Sequence, residues 1–141
     1  MKQLKKLLGK SVEELPVSDN EIANLVDIVE RDINDAQVKA ISNDRRFTAA
    51  YNAALQLCTI IIRKSGYRIK GRGHHYNTFR AAGIILGSKY NDLITYFNAC
   101  RNKRNKAEYD YVLHISDTEL DELISEVIKF KKQIKEKINI E

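Results

Sequence analysis

The stretch NDRRFTAAYNAALQLCTIIIRK constrains this chain more than any other. Phe47, Ala50, Tyr51, Ala54, Leu55, Cys58, Ile61 and Ile62 recur within it at i, i+3, i+4 spacing, which is the period of a helix. Past its first turn few positions are polar, so this helix must be buried around most of its circumference. It starts after Ser42 or Asn43 and stops at Gly66. Such a core helix needs other helices to cover it.

The rest of the chain supplies them. Ser18 and Glu21 read as a capping box, S-D-N-E, followed by Ile22, Leu25, Val26, Ile28, Val29 and Ile33 on one stripe running to about Lys39. Asn77 or Thr78 is positioned to cap a short helix ending at Gly87, and a longer helix is expected from Asn91 to Tyr109. A second capping box, S-D-T-E at 116–119, opens a last helix through Leu120, Leu123, Ile124, Val127, Ile128, Phe130 and Ile134. Its final turns are rich in lysine, which suits the negative end of the helix dipole. The expected fold is all-α: an antiparallel up-and-down bundle of four main helices plus a short one. Residues 1–16 are read as a basic N-terminal lead and 17–141 as one domain, since 141 residues suffice for a single core.

No apolar run reaches the roughly 20 residues of a membrane span, and the basic start MKQLKKLLGK has no long apolar stretch of a signal peptide. Cys58 and Cys100 fall in apolar helical patterns without metal-ligand spacing; buried reduced thiols are expected, with a disulfide as the alternative. A cytoplasmic protein is the expectation.

Charge is segregated along the chain. From Arg45 to Asn91 there are nine lysines or arginines and no carboxylate, and residues 45–106 carry +12 against −7 for the two flanks. Either this centre forms a basic surface for an anionic partner, or the acidic flanks neutralise it by packing against it.

Within that centre, RNKRNKAEYDY at 101–111 is the densest basic run. Leu93, Phe97, Cys100, Arg104, Ala107 and Tyr111 follow intervals of 4, 3, 4, 3 and 4, the inward seam of a bundle helix. Arg104 thus occupies a core position, where a cation requires a carboxylate, carbonyl groups or a wet cleft. Arg101 and Asn105 lie one step around the same side, whereas Lys103 and Lys106 are expected in solvent. Two readings stay open: Arg104 locks the bundle through an ion pair, or Arg101, Arg104 and Asn105 line an anion pocket.

The loop GYRIKGRGHHYNT, residues 66–78, adds Arg68, Lys70, Arg72, His74 and His75, flanked by Tyr67 and Tyr76. These can grip phosphates and stack on bases, or form an ordinary loop whose histidines bond to nearby backbone. No carboxylate or third histidine completes a metal set, and the glycines match no phosphate-loop or dinucleotide signature, so no metal or cofactor is expected.

CRNKRNKAEYDY, on the last long helix but one, resembles the HEPN superfamily, in which an arginine and a polar residue precede a histidine by four to six positions. Arg104-Asn105 match the arginine and its polar neighbour. AAYNAALQLC and then GYRIKGRGHHY are similar in order to small prokaryotic members, and the likeness covers roughly residues 20 to 135. The resemblance implies a dimerising helical domain with its arginine motifs in a cleft near the dimer axis. It further implies either a metal-independent endoribonuclease, in some members a toxin paired with a nucleotidyltransferase antitoxin, or an inactive module that binds RNA or protein partners.

The sequence departs from that motif at one place. Tyr109 stands where the histidine is expected, and a phenol with a pKa near ~10 is a poor base at neutral pH. His114 lies ten residues after Arg104, outside the motif spacing. The candidate catalytic set is therefore Arg104, Asn105 and His75, and the candidate binding set is Arg101, Arg68, Lys70, Arg72, His74 and Tyr109. Three functions follow as expectations: a homodimeric domain binding RNA or a nucleotide, a ribonuclease using His74 or His75 for proton transfer, or a non-catalytic interaction module.

Overall fold

The computed structural model describes residues 2–71, 73–109 and 114–139, with the side chains of these except 2, 7 and 107–109. Four long helices dominate: α2 (Asp19–Ala36), α3 (Asn43–Lys64), α5 (Asn91–Tyr109) and α6 (Asp117–Lys137). Two shorter ones, α1 (Lys2–Leu8) and α4 (His74–Leu86), join a two-stranded antiparallel sheet of β1 (Val12–Glu14) and β2 (Tyr67–Ile69). The chain is mostly helical, as expected. It differs from four main helices plus one in gaining α1 and the sheet.

α3 is the central element, packed against α2, α4, α5 and α6. Its buried residues include Phe47, Tyr51, Ala54, Leu57, Cys58, Ile60 and Ile61, which share one core with Val29, Phe79, Phe97, Leu123, Val127 and Phe130. The aromatic members interlock, with Phe97 at 5.8 Å from Phe79 and 5.5 Å from Phe130 between ring centroids. Asn43 ties the start of α3 to that of α6, its amide donating to Ile115 O at 2.9 Å and Asp117 Oδ1 at 2.8 Å. Both cysteines are buried and free.

The helix ends follow local chemistry. Ser116 and Glu119 form the full reciprocal capping box, whereas Ser18 accepts from the Glu21 amide alone. The Glu21 carboxylate turns instead to Arg63. That arginine is 4% exposed at the end of α3, and its guanidinium also donates to Leu15 O, Pro16 O and Tyr67 O at 2.8–3.0 Å. A cation this far from water is tolerated because carbonyls and a carboxylate surround it. Arg63 is thus an internal clamp and is removed from any basic surface formed by the central stretch 45–106.

The lead folds against this clamp. Val12 pairs with Ile69 and Glu14 with Tyr67, and the odd-even alternation turns Val12, Tyr67 and Ile69 inward onto Leu4, Leu8, Ile62 and Ala81. Tyr67 is consequently buried and takes no part in base stacking. Among the described residues no helix is long and apolar enough to cross a membrane.

Candidate functional site

The basic side chains of α5 meet the start of α4 over the middle of α3. The seam of α5 begins apolar, with Ile94, Phe97 and Cys100 buried, and then turns polar. The Arg104 guanidinium lies 5.4 Å from the Tyr51 ring centroid, and the Arg101 guanidinium lies 5.4 Å from that of Tyr76. Both distances are within the range of cation–π attraction. Arg104 is half-buried against Tyr51, at the seam position its spacing predicts.

Tyr51 joins the two halves. Its ring packs edge-on against Phe79 at 5.8 Å, and its hydroxyl lies 3.0 Å from Nδ1 of His75. Burial pushes the Tyr51 phenol up to about 12, although the Arg104 and Arg101 charges pull the other way. At neutral pH it remains a protonated hydroxyl, able to donate to or accept from Nδ1 according to the imidazole tautomer. It serves as a hydrogen-bonding strut rather than a base.

Glycine makes the placement of His75 possible. Gly73 adopts φ 73°, the left-handed region, so the chain leaves β2 and enters α4 at His74. The expected cap at Asn77 or Thr78 is displaced: both lie inside the helix, and Thr78 Oγ1 donates back to His74 O at 2.7 Å. Starting the helix earlier puts His75 and Tyr76 on its first turn, facing α3 and α5 respectively.

Two buried polar atoms in this region lack a hydrogen-bond partner: Nε of Arg101 and Oδ1 of Asn98, one turn earlier on the same helix. Asn98 also lines an open groove of about 670 Å³ between α4 and α5. Asn105 is half-buried a turn beyond Arg101.

The remaining predicted residues lie elsewhere. Arg68 and Lys70 both pair with Glu13 across the small sheet. The Glu13 carboxyl is held below its ordinary range by the hydrogen bond from Lys70 and then by Arg68. With His74 they line a separate cleft of about 590 Å³ that also holds Glu21 and Arg63. The adjacent histidines therefore divide, His74 toward the sheet and His75 toward Tyr51, with ring centroids 6.4 Å apart. Lys103, expected in solvent, is half-buried and pairs with Glu119 of α6. Arg72, Tyr111 and the Tyr109 side chain lie outside the described residues.

Chemically, the α3–α4–α5 junction offers two guanidinium groups, one imidazole held by a phenol, and one exposed aromatic ring, Tyr76. That combination suits a phosphate ester carrying a base. Among the described residues no group of three or more histidines, cysteines and carboxylates stands ready for a metal ion. Sequence reasoning missed Tyr51 and Asn98. Tyr51 was hidden in a core stripe, whereas Asn98 belongs to a legible row of uncharged polar residues.

No protein-family model, curated protein or solved structure matches this chain.

Proposed function

We propose that this chain is a HEPN-like helical domain that binds RNA or a nucleotide at the junction of α3, α4 and α5. The observation that carries the reading is the convergence of Arg101 and Arg104, one turn apart on α5, with His75 and Tyr76 from the first turn of α4. Guanidinium groups suit phosphate oxygens, and an exposed tyrosine ring gives bases a stacking surface. Arg80, on the groove beside Tyr76, adds a further cation near this face. Arg68 and Lys70 are assigned to the small sheet and Glu13, so the interface is narrower than the whole basic centre.

The test is binding of a labelled single-stranded RNA across a salt series. Each phosphate contact releases counterions, so the logarithm of affinity should fall linearly with that of salt concentration. Arg101→Ala and Arg104→Ala should each weaken binding and flatten that slope. Absence of binding at low salt sinks the proposal.

A second reading, metal-independent cleavage of the RNA, is favoured by one contact. The 3.0 Å approach of the Tyr51 hydroxyl to Nδ1 holds the His75 ring to the same tyrosine that the Arg104 guanidinium faces. A positioned imidazole is the side chain best matched to proton transfer near neutral pH. The arginines would steady the phosphate while His75 moves the proton. Cleavage in the presence of chelator, lost in His75→Ala and in Arg104→Ala, is the expected result; equal background in all three proteins removes this reading.

A further inference from the structure

The groove between α4 and α5 differs in kind from the arginine junction it adjoins. Along α5 the residues Asn91, Thr95, Asn98, Asn102 and Asn105 recur at intervals of 4, 3, 4 and 3, giving one helical face of uncharged hydrogen-bonding groups. Three of these, Asn91, Thr95 and Asn98, line the groove, facing Tyr76 and Arg80 of α4. Its floor is closed by Gly83, where a Cβ would lie 3.4 Å from the Ile94 side chain. The absence of a side chain there lets the two helices approach beneath a channel of about 670 Å³, within the roughly 300–1,000 Å³ of small-molecule sites.

This lining is unsuited to covering by an apolar partner and unsuited to holding phosphate by charge alone. It is suited to a flat, polar-edged ring. Tyr76 is 45% exposed, one of few large apolar side chains left so open among the described residues, and Arg101 backs its ring. One turn along α5 from Arg101, Asn98 has its Oδ1 buried with no partner. A sealed acceptor without a donor has lost its water and gained nothing in return. A change of Asn98 rotamer would turn the edge of the amide, carbonyl and NH₂ together, from this sealed position to the groove.

We infer that this groove is a nucleobase site within the proposed RNA- or nucleotide-binding junction. There Asn98 reads adenine and Tyr76 stacks on it, with Arg101 and Arg104 holding the adjoining phosphate. The inference rests on the binding function proposed above. An asparagine amide matches adenine in two bonds, its oxygen accepting from the exocyclic N6 amine and its nitrogen donating to ring N7. Uridine presents a carbonyl oxygen in place of that amine and cannot make the same pair. Single-stranded bases are recognised in this manner, through stacking on aromatic rings and bonds to their edges.

The experiment measures fluorescence anisotropy of labelled oligoadenylate and oligouridylate of about twelve nucleotides, within the usual site size of single-strand binders. Unlabelled adenosine monophosphate serves as competitor. Wild type is expected to prefer oligoadenylate by at least about tenfold, a discrimination that one bidentate pair can supply. Asn98→Leu, close in shape but without the amide, should bind both oligomers equally at the wild-type affinity for oligouridylate. Competition by adenosine monophosphate assigns the site to free nucleotide as well as RNA; competition by oligoadenylate alone assigns it to RNA. Equal wild-type affinity for the two oligomers, or a preference that survives Asn98→Leu, overturns the base site while leaving the junction's RNA binding intact. Binding of neither oligomer nor adenosine monophosphate overturns both.

Discussion

The hydroxyl of Tyr51 and Nδ1 of His75 stand 3.0 Å apart, a hydrogen bond between the middle of the core helix and the first turn of α4. The two residues are 24 positions apart in the chain, and only the packing of α4 on α3 brings them together. Burial keeps the phenol protonated well above neutral pH, so the bond joins a neutral hydroxyl to the imidazole.

Tyr51→Phe removes that bond and little else, since the ring continues to pack on Phe79. The expected loss of stability is about 1 kcal/mol, the net worth of one hydrogen bond. The His75 imidazole resonances should shift and broaden as the ring loses its fixed orientation. Unchanged His75 resonances in the variant would show that the bond does not position the ring.

Arg101→Met should separate binding from stability. The arginine buries an Nε that has no partner, and methionine keeps an unbranched stem beside Tyr76 without that polar atom. The melting temperature should equal or exceed that of the wild type, while RNA affinity falls by about tenfold, or about 1.4 kcal/mol. A clear drop in melting temperature with intact binding would assign Arg101 to the scaffold.

Arg63→Met should do the opposite. The substitution strands the Glu21 carboxylate and three backbone carbonyls that the guanidinium now satisfies. Glu21 is 40% exposed and regains water, so the expected loss is about 1–3 kcal/mol, the cost of leaving buried carbonyls without their donor. A urea midpoint near the wild-type value would refute the clamp. RNA binding by the folded fraction should be unaffected.

Acid sensitivity follows from two carboxylates. Glu21 is held below its ordinary range by the hydrogen bond from Arg63, and Glu30 by the hydrogen bonds from Lys135 and Lys131 on α6. Each folded-state value lies below the unfolded one, about 4.3 for glutamate. Their contribution is therefore present above the unfolded value and lost as the pH falls through the depressed folded values. Glu30→Gln should lower the melting temperature at neutral pH, and its difference from wild type should close on acidification. A gap that stays constant from about pH 7 to about pH 3 would contradict this coupling.

The thiols should be inert in the native protein. Burial pushes the Cys100 thiol up to about 11, and burial raises that of Cys58 as well. Thiolate is the reactive form, so a disulfide reagent should modify both residues only when urea is added. Rapid modification of the folded protein at neutral pH would show that one of these thiols is open to solvent.

The long helices were legible because each carries its own instructions. The apolar period of residues 47–62 makes α3, and Ser42 and Ser116 accept from amides three residues on, as local sequence alone predicts. The small sheet was less legible: Y-R-I alternates with period 2 but V-E-E does not, and each, only three residues long, becomes a strand solely by pairing with the other. Helical spacing also put Arg104 on the inward side of α5.

The site itself required long-range packing. A run of cations such as Arg63, Arg68, Lys70 and Arg101 looks uniform along the chain, because charge is a property of the residue alone. Whether that charge is available depends on what the fold sets beside it. Tertiary packing surrounded Arg63 with Glu21 and three carbonyls and paired Arg68 and Lys70 with Glu13. It set Arg101 against Tyr76 and Arg104 against Tyr51, whose hydroxyl meets His75. Local periodicity determined which residues face inward from each helix; only the meeting of distant segments decided which groups each cation meets.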